Sequence, residues 1–234
     1  MANATENLRA HLADPALNEE LVEDTEFILD LQGGADRHII VISPRDQSLV
    51  GRTLAEVAVE NGLSPLEQVI RLALDLGTPE LRSGVRYRGR AGSADDVERY
   101  MSQEYTATST DGGIVPVARA GQHPRYYGTY PHKIATYVRE KGLITLPFFV
   151  RSSTGLPAQI VGLPDRGLIR PGQAADLVLF DYDRVQDHAT ILNPGGHNDG
   201  IEFVFVNGVA VVDAGVVTGA LPGVSLKRHE VRPR

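Results

Sequence analysis

The sequence predicts an α/β fold over roughly its first 155 residues, followed by an antiparallel β segment. Before that point, helical patterns alternate with short apolar runs, which is typical of β–α units in a parallel sheet or barrel. After Gly155 the chain has short β-prone runs joined by tight turns, which is typical of hairpins. With 234 residues, of which 42% are hydrophobic and 23% charged, the chain can form an ordinary globular core.

The first hundred residues predict helices around one strand. The run Ile39–Ile42 is wholly apolar and β-branched, which predicts a buried parallel strand. One helix is expected over Leu17–Leu31, before Gly33-Gly34, and another has Leu54, Val57 and Ala58 on a single face and ends at Asn61-Gly62. A third helix is expected to start in a capping box of Ser64 and Glu67, and a fourth to run from Ser93 to Met101.

A second barrel strand is expected just before the middle of the chain. The β-prone stretch Tyr105–Thr110 stops at Asp111-Gly112-Gly113, and a helix is expected over Pro131–Lys141. Two strands alone cannot form a parallel sheet with both faces covered. The sequence therefore predicts an incomplete sheet in this part of the chain.

The last part of the chain predicts an antiparallel sheet. Its strongest signal is Asn207-Gly208 between the apolar runs Ile201–Val206 and Val209–Val212, because a type I′ hairpin turn needs positive φ at both central residues. A strand over Ala175–Phe180 precedes this hairpin, and a short strand at Val216–Thr218 follows it.

Composition excludes several classes of function. The chain has 30 acidic and 23 basic residues and a formal net charge of −7, which argues against binding to nucleic acid or to anionic lipid. It has no cysteine, so it offers no disulfide and no thiolate ligand. No apolar run approaches the roughly 20 residues that span a bilayer, and no secretory signal is recognisable. We therefore expect a cytoplasmic protein without a membrane partner.

The first candidate for chemistry is Asp111. A carboxylate directly after a barrel strand lies where catalytic groups collect, and it can bind a metal ion or accept a proton from water. Asp-Gly-Gly is equally compatible with a plain turn held by an Asx hydrogen bond. The tripeptide alone leaves both interpretations open.

The second candidate is the nearby loop with His123, Arg125 and Tyr126. The planar fork of Arg125 suits a substrate carboxylate, His123 could titrate or bind a metal, and Tyr126 could line a pocket. Each of these residue types is more often structural or solvated. The remaining histidines show no spacing that would bring two of them onto one metal ion.

Several stretches together resemble a known family. Thr110–Gly112, His123–Pro131 and Tyr137–Gly142 resemble the catalytic stretch of N-acyl-D-amino-acid deacylases (D-aminoacylases), which are members of the amidohydrolase superfamily. The resemblance covers about residues 105–225 closely and the first hundred weakly. Its further matches are Ser153–Ala158, Asp165–Gly172, Ala175–Asp181, Gly200-Ile201 and Val206–Gly208.

This resemblance implies the C-terminal part of a metal-dependent (β/α)₈ barrel, about its last two strands and helices, followed by part of a small β-sandwich. Residues 1–160 would belong to the barrel and residues 161–234 to the sandwich. It implies that Asp111 contacts the metal site, activates the hydrolytic water and passes the proton to the leaving amine. The substrate would be an N-acyl-D-amino acid, with Arg125, His123 and Tyr126 in the loop that binds it. The expected cofactor is zinc, as one or two ions.

Departures from the family are as informative as the matches. The family's early His-x-His, its bridging cysteine and two later histidines have no counterpart here, and Thr110 replaces the usual serine. The loop between Asp111 and His123 is also longer than usual. We therefore expect the other metal ligands on a second polypeptide, an N-terminal half with a His-x-His motif, in a hetero-oligomer. The alternatives are a hydantoinase- or dihydroorotase-like cyclic-amide hydrolase, a non-catalytic scaffold subunit, and a piece of a longer chain.

Overall fold

A computed structural model of the chain describes residues 4–74, 86–88, 93–113 and 122–227. These residues fall into two compact units. The first contains the described residues up to Ala94 together with Gln122, and the second contains the others. Within the described ranges, no helix combines the length and the hydropathy needed to cross a membrane.

The first unit is mainly helical. Six buried apolar side chains form its core, and they come from the second, third and fourth helices and the first strand. The elements of this unit are α1 (Ala4–Ala13), α2 (Pro15–Leu31), β1 (Ile39–Ile42), α3 (Leu54–Asn61), α4 (Pro65–Leu74) and β2 (Arg86–Arg88).

Local hydrogen bonds explain where the helices of this unit begin and end. The predicted capping box at α4 is confirmed, since Glu67 N donates to Ser64 Oγ at 3.2 Å and Ser64 N donates to Glu67 Oε2 at 2.7 Å. The end of α3 at Gly62 is also confirmed, because that glycine takes the left-handed conformation at φ +65°.

The predicted direction of β1 is wrong. The strand exists and is buried as expected, but it pairs antiparallel with β2, with Ile39 opposite Arg88 and Ile42 opposite Arg86. An apolar β-branched run indicates that both faces of a strand are covered. It does not indicate the direction of the neighbouring strand, which depends on the partner that the folded chain supplies.

The second predicted barrel strand, Tyr105–Thr110, is not formed. Its backbone makes other bonds, because Thr106 N donates to Gln103 O at 3.0 Å and Thr108 N donates to Ser152 O at 2.8 Å. A strand requires a partner for its ladder of hydrogen bonds, and the described residues place no strand beside this stretch. The barrel portion of the predicted fold is therefore not confirmed.

The second unit contains a long helix that is interrupted by a proline. The segment α6 (Arg125–His132) begins six residues before the predicted start at Pro131, and the helix continues with π-helical bonding over Lys133–Glu140. Pro131 has no N–H for the carbonyl of Tyr127, and the side-chain amide of Asn198 donates to that carbonyl at 2.9 Å instead.

The other helices of this unit are short. The core of this unit consists of buried side chains from the π-helical segment, from one of these short helices and from the loops. The bounds are α5 (Ala94–Met101), α7 (Leu146–Ser153) and α8 (Gly155–Val161), and the buried core residues are Ile134, Val138, Ile144, Phe149 and Val185.

The predicted antiparallel sheet is confirmed. Its four strands pair in sequence order, and their bounds are β3 (Leu177–Phe180), β4 (Ile201–Val206), β5 (Val209–Asp213) and β6 (Val216–Val217). The turn between β4 and β5 has φ +48° at Asn207 and φ +80° at Gly208, as a type I′ turn requires.

None of the four strands is fully buried, although Phe180 and Ile201 pack against the core of this unit, and the described residues form no second sheet beside this one. The second sheet of the predicted sandwich and the predicted division at residues 160 and 161 stay predictions. The predicted extra length of the loop before His123 lies largely outside the described residues, which omit 114–121.

Candidate functional site

Asp111 lies in an exposed turn, with φ at +44°. Aspartate tolerates this left-handed conformation better than most residues, because its short polar side chain can bond locally. The next residue, Gly112, donates its N–H to Thr110 Oγ1 at 3.2 Å. The side chain of Asp111 is 85% exposed, so its carboxylate is available to a ligand or a partner.

The guanidinium of Arg125 binds this carboxylate. Arg125 Nη2 lies 2.7 Å from Asp111 Oδ2, and Arg125 is the first residue of α6. The Nε atom of Arg125 is buried and has no hydrogen-bond partner among the described residues. The two residues singled out most strongly by the sequence therefore form an ion pair, and one donor of the arginine fork is still unused.

His123 and Tyr126 lie beside this pair. His123 Nδ1 accepts a hydrogen bond from the backbone N–H of Arg125 at 3.0 Å, so this ring nitrogen helps to shape the start of α6. A Cβ added at Gly112 would lie 3.6 Å from Tyr126 Cα, and one added at Gly113 would lie 3.8 Å from Tyr126 Cε1. The turn containing Asp111 thus packs against Tyr126, and all four predicted residues meet at one end of α6.

A buried lysine is the residue that sequence reasoning missed. Lys133 is only 4% exposed, and its Nζ donates to Thr108 Oγ1 at 2.6 Å and to Ser152 Oγ at 3.1 Å. Burial lowers its pKa from 10.5 to about 8. No local pattern in the sequence indicates this burial, because a lysine within a helix is usually solvated.

The described residues do not form a metal site by themselves. No three His, Cys, Asp or Glu side chains within them converge on a point where an ion could be held. Among the described residues of the second unit, His132 pairs with Asp187 at 3.1 Å and His188 with Asp199 at 2.8 Å, and neither pair is part of a larger group of possible ligands. Asp111, paired with an arginine, is at most one ligand of the three or four that zinc requires.

Comparison with known proteins identifies the family. Residues 31–212 match the model of the amidohydrolase family. The chain belongs to the amidohydrolase family. This match includes β1, the Asp111 turn, the long helix and most of the antiparallel sheet.

Among curated proteins, this amidohydrolase chain is similar to deacylases of Alcaligenes xylosoxydans xylosoxydans. It is 38% identical to an N-acyl-D-aspartate deacylase over 84% of the chain and 36% of the relative. It is 37% identical to an N-acyl-D-glutamate deacylase over 69% of the chain and 30% of the relative. It is 36% identical to a D-aminoacylase over 83% of the chain and 37% of the relative. The chain thus spans about a third of the length of these proteins.

Solved structures lead to the same group. A D-aminoacylase with a binuclear metal centre has a TM-score of 0.63 and 35% identity, over 81% of this amidohydrolase chain and 37% of that one. The N-acyl-D-glutamate deacylase of Bordetella bronchiseptica, solved with zinc and a phosphonate inhibitor, has a TM-score of 0.60 and 31% identity. The match covers 78% of this chain and 36% of that one. The resemblance to D-aminoacylases noted in the sequence is confirmed.

Proposed function

We propose that this chain is one part of an enzyme that hydrolyses the amide bond of N-acyl-D-amino acids with metal-activated water. This chain would supply the catalytic carboxylate Asp111 and the substrate-binding loop, and a second polypeptide would supply most metal ligands. The observation that carries the proposal is the Asp111–Arg125 ion pair of 2.7 Å, within a chain similar to three deacylases of this class.

In this proposal Asp111 moves the proton. Its carboxylate accepts a proton from the attacking water while the water oxygen bonds to the amide carbon. It then donates that proton to the nitrogen as the C–N bond breaks, which releases a carboxylic acid and a D-amino acid. The 85% exposure of the Asp111 side chain supports this role, because a substrate could reach it.

Arg125 would bind the carboxylate of the substrate. A guanidinium presents parallel N–H groups that match two carboxylate oxygens, and it already holds the carboxylate of Asp111 through Nη2. The Arg125 side chain is 37% exposed, which supports this role, because a substrate carboxylate could reach it. Substrate binding would then compete with Asp111 for the guanidinium. His123 and Tyr126 would line the same loop.

The metal requires residues that the described part of this chain does not supply. A divalent ion in such an enzyme lowers the pKa of bound water and so provides a nucleophile near neutral pH. We propose zinc, as one or two ions with Asp111 as the ligand from this chain, because solved relatives contain a binuclear metal centre or zinc. We further propose that the remaining ligands come from an N-terminal-half polypeptide with a His-x-His motif, in a cytoplasmic hetero-oligomer.

Native mass spectrometry tests the second polypeptide. The chain is purified under non-denaturing conditions from its own host, and each copurifying polypeptide is sequenced. The proposal expects a stoichiometric partner with a His-x-His motif and with one or two zinc ions in the complex. A monodisperse, cooperatively unfolding monomer without a partner would contradict it.

Substitution of Asp111 tests the catalytic role in the same preparation. Asp111→Asn keeps the size of the side chain but removes the basic oxygen, so kcat for N-acyl-D-amino acids should fall about 10²–10⁴-fold. Arg125→Lys keeps the charge but not the fork, so it should mainly raise KM. Normal turnover by Asp111→Asn would show that Asp111 is only a turn residue, and a scaffold role would then be favoured.

A further inference from the structure

Lys133 is a buried cation that contacts hydroxyl groups. Its Nζ donates to Thr108 Oγ1 and Ser152 Oγ, and it lies 5.8 Å from the centre of the Phe149 ring. Ser152 Oγ in turn donates to Phe149 O at 3.1 Å, so its hydrogen points away from the lysine and it accepts from Nζ. Within the described ranges, no carboxylate lies within ion-pair distance of this ammonium.

Stability does not explain a lysine at this position. A buried charge without a counter-ion is costly, and an apolar side chain of similar length usually serves at least as well in a core. The side chain of Lys133 lies near the ring of Phe149, which is itself buried, so a long apolar side chain at position 133 would have an apolar neighbour there. The hydrogen bonds that the ammonium makes are therefore the feature that requires explanation.

These bonds hold the stretch of chain that leads to Asp111. Thr108 precedes Asp111 by three residues, and it is bound twice, through its hydroxyl to Lys133 and through its N–H to Ser152 O at 2.8 Å. The stretch has no strand partner among the described residues. Its other described attachments are Arg151 Nη1 to Glu104 O at 2.7 Å and the Asp111–Arg125 pair. Lys133 thus binds this stretch at a point between the attachment at Glu104 and the attachment at Asp111.

We propose that Lys133 is a positioning residue for Asp111, which it holds at the start of α6 by binding Thr108 with its ammonium. The catalytic consequence rests on the proposed function, because it matters only if Asp111 transfers a proton. The lysine does not touch the substrate or the reacting atoms. Lys133 determines the position of the Asp111 carboxylate when the substrate binds. A small misplacement of a reacting group is enough to slow a reaction strongly.

Hydrogen–deuterium exchange tests whether Lys133 orders the stretch before Asp111, and it requires no measurement of enzyme activity. The exchange of the amides of residues 106–113 is compared between the natively purified original protein and the variant Lys133→Met. This substitution keeps the length of the side chain and removes its charge. Exchange should accelerate about tenfold or more, the effect expected for the loss of a charge-assisted hydrogen bond. Lys141→Met is the matched control, because Lys141 also lies near an aromatic ring, that of Tyr137, but binds Glu98 instead.

Two substitutions of Thr108 keep the test decisive if Lys133→Met does not fold. Thr108→Val removes the hydroxyl at nearly constant volume, and Thr108→Ser restores it. Exchange should be fast in the first variant and close to the original in the second. Equal exchange in both variants, or unchanged exchange in a folded Lys133→Met, would overturn the proposal.

Kinetics in the same preparations separate positioning from mere ordering. Lys133→Met and Thr108→Val should lower kcat for N-acyl-D-amino acids about tenfold with KM changed less than about twofold, while Thr108→Ser and Lys141→Met keep kcat. Faster exchange with unchanged kcat would overturn the positioning role. If the original protein has no deacylase activity, the proposed function fails, and exchange at Asp111–Gly113 alone then decides whether Lys133 holds the turn.

Discussion

Removal of the Lys133 ammonium should change how stability depends on pH. Burial lowers the pKa of Lys133 to about 8, against 10.5 for a solvated lysine. Below about pH 8 the amine is charged in the folded and the unfolded chain, and the folded state carries the full cost of burying that charge. Between about pH 8 and 10.5 only the unfolded chain retains the proton, so the free energy of unfolding rises with pH.

The size of this rise follows from the two pKa values. Each unit of pKa difference corresponds to about 1.4 kcal/mol, and the part that falls between about pH 7 and 9.5 is at most about 2 kcal/mol. Lys133→Met has no amine to titrate. Its free energy of unfolding, relative to that of the original chain, should therefore decline by up to about 2 kcal/mol over this interval.

Urea denaturation followed by circular dichroism measures the effect at several values of pH. All other titrating groups are common to both proteins, so the difference between the two profiles isolates position 133. Lys141→Met is the control, because a hydrogen bond with Glu98 raises the pKa of Lys141 and its titration lies above the interval. Parallel profiles for the original chain and Lys133→Met would refute the lowered pKa of a buried Lys133. The charge of this side chain would then no longer explain its bond to Thr108.

Two further predictions concern parts of the fold away from Lys133. Ser64→Ala removes one half of the capping box of α4, and we expect the free energy of unfolding to fall by about 1 kcal/mol in a urea titration. The backbone N–H of Asn207, with Arg166 nearby, lowers the pKa of Asp176, so this carboxylate stabilises the fold above its ordinary pKa of 3.8 and the stabilisation is lost as the pH falls. Asp176→Asn should therefore unfold with a flatter acid profile, and an unchanged profile would show that the bond to Asn207 does not stabilise the sheet.

Features that depend on residues close together in the chain could be predicted from residue type. The capping box of Ser64 and Glu67 and the hairpin turn at Asn207-Gly208 each involve a few consecutive residues, so their hydrogen bonds and backbone angles follow from residue type. The meeting of Asp111 with Arg125 was partly predictable for a similar reason. The two residues lie only 14 positions apart, and both lie within the residues that match the amidohydrolase family.

Features that need a partner far away in the chain could not be predicted without the folded structure. The direction of β1 depends on β2, and the stretch Tyr105–Thr110 is not a strand because the described residues place none beside it. The long helix continues through Pro131 while Asn198, 71 residues from Tyr127, binds the carbonyl that the proline leaves free. Lys133 is buried because Thr108 and Ser152, 25 and 19 residues away, provide its acceptors. A hydrogen bond across such a separation depends on the path of the whole chain, and no local pattern of residue types specifies that path.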